Sequence, residues 1–266
     1  MAKNIIICAP TIAKKSAYIA TSHEWETLKR HWNLYRGNRY YYAKLASASS
    51  SDRVFTFTLN SEAEADYIAI ARADLLVSSG DDEIEVEHSD NGSSWTSAYT
   101  KTITSGDLIG IRNQDYIDNF TSATKKYWRV TISGGSGAME FSKLYLGKSF
   151  DFDVNASSIT SRVVFGNQQN FTGVSGARFL QKNESGKNII MLKFEGVTDA
   201  QADEFIREIV AIQHSHQGVF LWNPNENRLL NGHNLIHCQI TDWSKKDVVG
   251  FPNWNEINVE FLELIG

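Results

Sequence analysis

The stretch Lys125–Phe152, KKYWRVTISGGSGAMEFSKLYLGKSFDF, constrains this chain more than any other. Tyr127, Arg129 and Thr131 alternate with Trp128, Val130 and Ile132. That two-residue period puts one set on a core and the other on solvent only if the segment is a strand. Ser133–Gly137 supplies a glycine-rich turn, and Phe141, Leu144 and Leu146 resume strand spacing. Phe150-Asp151-Phe152-Asp153 then opens a segment of different character. The stretch therefore predicts a boundary, with residues 1–150 as one domain, 151–266 as a second, and Lys148–Asn155 as the connection.

A chain of 266 residues that is 42% hydrophobic can supply two cores of ordinary size. Its two cysteines, Cys8 and Cys238, sit far apart in apolar surroundings, which predicts buried free thiols and assembly in a reducing cytoplasm. The apolar run Ile5–Ala9 is shorter than a signal or membrane segment requires, so membrane insertion and export are not expected. Charge divides unevenly. Residues 1–150 hold 17 Lys and Arg against 17 Asp and Glu, whereas residues 151–266 hold 9 against 14 and so carry the whole net charge of −5. An acidic surface without a basic stripe disfavours tight DNA binding, because neutralised phosphates dominate such affinity.

Strands are predicted at Lys3–Ala9, Tyr40–Leu45, Val54–Leu59, Tyr67–Ala71 and Glu83–His88, with turns at Asn60–Ala65 and Ser89–Gly92. Lys14–Leu34 reads largely as loop. In the second half, strands are expected near Ile159–Gly166, Arg178–Gln181, Lys187–Glu195, Val219–Trp222, Leu235–Ile240 and Asn255–Leu264. One helix, about 198–213, follows from Thr198 as N-cap, Gln201 three residues on, and the stripe Ala202, Phe205, Ile206, Ile209 and Val210. Phe205, Ile206 and Ile209 are its expected anchors. The fold class is all-β.

Ile68–Leu76, the turn segment Ile84–Trp95 (IEVEHSDNGSSW) and Lys126–Ile132 (KYWRVTI) resemble the discoidin, or F5/8 type C, galactose-binding-like jelly roll. The resemblance covers roughly residues 35–148 and implies a β-sandwich, since these motifs describe core and turn positions. The order of the second half, strands, one amphipathic helix, the aromatic strand Gly218–Pro224 and a closing strand Asn258–Leu264, is similar to the tail-tube-like β-barrel of phage distal tail and minor tail proteins. Together the two halves resemble a tail-tip protein. That family implies a ring homo-oligomer, most often six-fold, contacting the tail tube protein, the tail-tip hub protein and fibre proteins in the virion tail.

Several features carry a chemical reading beside a structural one. His214-Ser215-His216 has metal-like spacing, yet no Cys or carboxylate is placed to complete a site. Asp81-Asp82-Glu83 with Glu85, Glu87 and Asp90 is acidic, but calcium needs six to eight oxygens and the run reads as a loop and a solvent face. Discoidin-like domains often bind glycans through loops, for which Trp25, Trp32, Trp95 and Tyr116 are candidate stacking faces. No phosphate loop, Gly-x-Ser-x-Gly or His-Glu-x-x-His occurs, so neither a cofactor nor an enzymatic activity is expected. Some of Asp199, Asp203, Glu204, Glu208, Asp242, Asp247 and Glu256 are expected to line a negative channel that DNA traverses without specific binding. The sequence thus predicts a structural subunit of a distal tail or baseplate ring, with a carbohydrate-binding adhesion module acting through residues 1–150 as the alternative.

Overall fold

The computed structural model describes residues 5–21, 43–44, 52–73, 82–110, 114–134, 140–164, 168–172, 178–182, 187–211, 218–224, 234–251 and 253–264. The chain is all-β, as its alternation predicts. The N-terminal sandwich is built on two long strands, β4 (Arg53–Ala71) and β7 (Tyr116–Ser133), with β2 (Ser16–Thr21), β5 (Asp82–Ser89) and β6 (Thr96–Ile103) in the order β2-β4-β7-β5-β6. A further strand, β9 (Lys143–Gly147), pairs with the end of β4, and short β3 (Ala43–Lys44) pairs with β8 (Glu140–Phe141).

Both long strands serve two layers. Residues 53–58 of β4 pair with 127–132 of β7, while Tyr67–Ile70 pair with 116–119, with register shifts between. The expected turn at Asn60–Ala65 is instead a bend inside one continuous strand. Asn60, Ser61 and Glu62 are exposed and polar, which mimics a turn in sequence, but pairing resumes at Ala63↔Lys125. The layers enclose one core, with Phe55, Phe57, Ile84, Val86, Trp128, Val130 and Ile132 from the first meeting Ile68, Ile70, Leu144 and Leu146 from the second. Part of the expected loop Lys14–Leu34 is also ordered structure: α1 (Thr11–Lys15) leads into β2, a half-buried edge strand whose apolar pattern is weak because only one neighbour covers it.

The C-terminal half forms a seven-stranded sheet, β10-β1-β15-β16-β17-β14-β11, from β1 (Ile6–Cys8), β10 (Ser149–Phe150), β11 (Ala156–Val164), β14 (Lys187–Thr198), β15 (Val219–Trp222), β16 (Leu235–Asp247) and β17 (Trp254–Glu263). A separate hairpin, β12 (Gln168–Thr172) with β13 (Arg178–Lys182), lies between β11 and β14 in sequence. Among the described residues, pairing does not close this sheet into the expected barrel. Helix α2 (Asp199–Phe205) continues as a π turn over Ile206–Val210, and Thr198 caps it through its side chain to Gln201 N–H at 3.4 Å. Phe205 and Ile209 are fully buried and Ile206 is half-buried, so the anchors sit as expected. Residues 212 and 213 of the predicted helix lie outside the described residues.

The first strand changes the domain picture. Ile6–Cys8, expected to open the N-terminal domain, pairs with β15 and β10 in the C-terminal sheet. The sandwich is therefore inserted between two neighbouring strands of the other sheet. Alternation along β1 then buries both faces, since Ile5, Ile7 and Ala9 join the core under α2 whereas Ile6 and Cys8 join a second cluster with Tyr67, Ala69, Ala71, Ile117, Tyr145, Phe220, Trp222 and Leu235. That cluster glues the back of the sandwich to the sheet. The expected connection at Lys148–Asn155 begins as one residue, Lys148, between β9 and β10, and it is half-buried. A Cβ at Gly147 would lie 2.1 Å from Thr11 Oγ1 and 2.9 Å from the Ala9 carbonyl oxygen, so this junction closes only around glycine. Ser149 donates to Asp66 from its N–H (2.7 Å) and its hydroxyl (2.9 Å), adding polar ties across it.

Candidate functional site

The register gathers the sandwich's connections at one end. Arg53↔Ile132, Glu83↔Ser133, Asp82↔Ile103, Ile70↔Tyr116 and Ala71↔Lys143 are all terminal pairs, so strands of both layers begin or end there. Buried polar groups floor this end. Arg53 donates to the Gly134 carbonyl oxygen at 2.6 Å, Asp115 accepts from Arg72 N–H at 3.1 Å, and Asp82, one residue before the pair Glu83↔Ser133, is buried. A buried charge persists only when hydrogen-bonded, so these contacts hold the strand ends in a fixed frame. Trp25 and Trp32 lie outside the described residues, as do His214, His216 and Asp81.

The opposite end carries the turn that the sequence singled out. Ser89 Oγ accepts from the N–H groups of Asn91 (3.2 Å) and Gly92 (2.9 Å), and Asn91 Oδ1 accepts from Ser93 and Ser94 N–H, both at 2.9 Å. Side chains thus replace backbone partners. Gly92 has φ +74°, and an added Cβ would stand 3.2 Å from the Tyr127 ring. Gly92→Ala is expected to cost about 1–2 kcal/mol from the left-handed backbone alone, read as a lower urea midpoint at unchanged slope.

Trp95 follows this turn and is half-buried. The Arg129 guanidinium lies 4.4 Å from its ring centroid, and Glu87 grips Arg129 through two bonds of 2.5 and 2.7 Å. One face of the indole is therefore occupied by a cation. Tyr116 is 1% exposed and belongs to the sandwich core, so burial corrects its reading as a stacking face. Its hydroxyl meets that of Tyr99, which donates to Asp118 Oδ2 at 2.7 Å. Lys101 binds Asp107 at 2.7 Å and reaches Asp118 at 3.7 Å, completing a brace between β6 and β7. Burial raises both tyrosine hydroxyls above their ordinary range.

The bond from Lys101 and those from Thr104 lower Asp107 from the ordinary 3.8 to about 2. A depressed carboxylate contributes stability that is present above its unfolded value and lost as pH falls through its folded one. The brace should accordingly persist at pH 4 and give way between about pH 4 and pH 2, and Lys101→Ala should move the Asp107 titration upward in a carboxyl NMR experiment. A titration near 3.8 in the native chain would contradict the ion pair.

The acidic candidates divide between two faces of the C-terminal sheet. On the helix side Asp199 accepts from Asn255 Nδ2 (2.9 Å) and Lys245 (3.2 Å), bonds that lower its pKa, and Asp203 lies 3.9 Å from Lys245. Glu204 pairs with Lys148 at 3.3 Å and Glu208 with Lys15 at 2.9 Å, so these two tie the helix to the sandwich junction. On the other face, Glu256 pairs with Lys193 at 2.9 Å, and Asp242 lines a shallow groove of about 290 Å³ with Ser158, Thr160, Met191, Asn258 and Glu260. Asp247 is exposed near the end of the β16–β17 hairpin. Placement on opposite faces keeps the seven from forming one surface within a single chain. No signal in the sequence pointed to the groove, because its lining alternates along four strands. Among the described residues no group of three or more His, Cys, Asp or Glu side chains could hold a metal ion, and no helix is long and apolar enough to cross a membrane.

No family model matches the chain, and no curated protein does. Among solved structures it is similar to CBM32-3 from a family 31 glycoside hydrolase of Clostridium perfringens, with TM-score 0.41 and 17% identity over 52% of this chain and 94% of that one. A Ruminococcus gnavus GH29 fucosidase in complex with fucose gives TM-score 0.42 and 16% identity over 54% of this chain and 27% of the enzyme. The CBM32-1 and CBM32-2 domains of ZmpB from Clostridium perfringens in complex with GalNAc give TM-score 0.40 and 10% identity over 51% and 34%. These structures are carbohydrate-binding modules or an enzyme far longer than the matched part. Likeness at this level identifies no ligand for the present chain. The tail-tip resemblance of the sequence finds no support in them.

Proposed function

We propose that the chain is a non-catalytic carbohydrate-binding protein whose inserted sandwich takes up a glycan at its connection-bearing end. The observation that carries this reading is the convergence of strand ends from both layers at one end, where Arg53, Asp82 and Asp115 are buried. Rigid strands presenting variable connections are the usual way a sandwich builds a binding surface. The discoidin-type motifs of the turn and of β7 support it, and the hydroxyl-rich ligands of the similar structures, fucose and GalNAc, suggest the first probes. The test is a glycan array on the full chain, followed by NMR titration with fucose and GalNAc. Binding with shifts confined to the connection-bearing end is the expected result; no binding to any glycan would overturn the reading.

A second reading, a structural subunit of a phage tail ring, is favoured by a separate observation. All the exposed large hydrophobics among the described residues, Ile159, Val163, Met191, Val249, Phe251 and Trp254, belong to the C-terminal half. Val249, Phe251 and Trp254 cluster at the β16–β17 hairpin end, a distribution that marks an interaction surface. Negative-stain images of the purified chain showing six-fold rings would favour this reading, and uniformly small particles would count against it.

A further inference from the structure

The two edges of the seven-stranded sheet are unequal. One edge, β10, offers only Ser149 and Phe150, whereas the other, β11, runs nine residues from Ala156 to Val164 and, among the described residues, pairs on one side only, with β14. Residues 157–163 are all exposed, and Ile159 (42%) and Val163 (52%) are among the most exposed large hydrophobics of the chain. Long edge strands are normally blunted by proline, lysine or inward charge. Here the sequence ASSITSRVV holds no proline and one charge, Arg162, which is directed to Glu260 at 3.5 Å. A single bulge near Ala156 leaves the rest of the strand regular.

We propose that β11 pairs antiparallel with β11 of a second copy of this chain, about a two-fold axis through Ser161, joining two sheets into one. The register is self-complementary. Ile159↔Leu192, Ser161↔Ile190 and Val163↔Asn188 place Ile159, Ser161 and Val163 on the sheet face that carries the core under α2. Pairing about Ser161 sets Ile159 of each copy opposite Val163 of the other, so four exposed apolar side chains cover one another and extend an existing core. Thr160 then faces Arg162, and no like charges meet directly, which cross-strand pairing would penalise. A head-to-tail ring joined by sheet edges requires a second edge that matches β11 in length, and two-residue β10 does not supply one. The occupant that fits is therefore a second β11. Such a dimer carries two sandwiches, which would raise the avidity of the proposed glycan site without forming part of it.

Sedimentation equilibrium of the full chain tests this directly. The native protein is expected to be a dimer, and Ile159→Lys with Val163→Lys a monomer with unchanged circular dichroism. Ser161→Cys provides the second measurement. Directly opposed antiparallel residues have Cα atoms about 4.5–5.5 Å apart, within disulfide range, and both native thiols are buried. Mild oxidation should convert this variant to a covalent dimer, whereas Glu83→Cys, exposed on the sandwich, should stay uncrosslinked. A monomeric native chain, any other stoichiometry, a dimer that persists in the double lysine variant, or absence of the Ser161→Cys crosslink would each overturn the proposal.

Discussion

Deletion of residues 1–9 is expected to unfold the C-terminal sheet, although this sheet is otherwise formed by residues beyond 148. Ile5, Ile6 and Ile7 are each at least nine-tenths buried, on two different cores. Full burial of an isoleucine contributes about 1.5–3 kcal/mol, so the three represent about 5–9 kcal/mol. That is comparable with the whole stability of an ordinary protein, about 5–15 kcal/mol. The deletion would also strip β10 and β15 of their shared partner. Insoluble protein or a broad, low melting transition is the expected observation. A truncated chain that melts like the native one would show that β1 is dispensable and that the insertion topology is wrong.

Phe205→Ala should produce the largest effect of any single substitution in the helix. Its ring lies 5.6 Å from Phe150, 5.4 Å from Phe152 and 6.5 Å from Trp243, between centroids, and it has no exposed surface. Truncation removes the apolar burial and leaves a cavity that the closely packed, mutually tilted rings of Phe152 and Phe194, 4.3 Å apart, cannot readily fill. A loss of about 3–5 kcal/mol is expected from such a change. Chemical denaturation checks it, and a loss below 1 kcal/mol would mean that the helix is held mainly by its ion pairs.

These two expectations mark what the sequence showed and what it concealed. The helix stripe was legible because its burial is set by local periodicity, and so were β5, the Tyr127–Ile132 part of β7 and the Ser89–Trp95 turn. The placement of β1 was not, because its pairing partners, in β10 and β15, lie more than 140 residues away and leave no local trace. A signal was nevertheless present: an unbroken apolar run at Ile5–Ala9 fits a strand covered on both faces better than one covered on one face. The continuity of β4 was hidden by three polar residues at its bend. Tyr116 was misread because an aromatic beside Asp115 and Asp118 resembles a loop side chain, while its burial comes from β6, a neighbour set by the layer crossing. For the connection-bearing end, sequence revealed the strands that frame it but not the buried polar floor, which forms only once strand ends from both layers meet.

Cys8 and Cys238 are both wholly buried, but in different layers, Cys8 between sandwich and sheet and Cys238 in the core under α2. Burial raises the pKa of each thiol well above its usual value, so neither can react with an alkylating reagent while its layer stays closed. Reaction must wait for an opening event, and its rate measures how often that event occurs. The two cysteines are therefore natural clocks for two separate motions. Modification of Cys8 well ahead of Cys238 would show the sandwich lifting from an intact sheet; equal rates, slowed together by any stabilising ligand, would show that the inserted unit and its host breathe only by unfolding as one body.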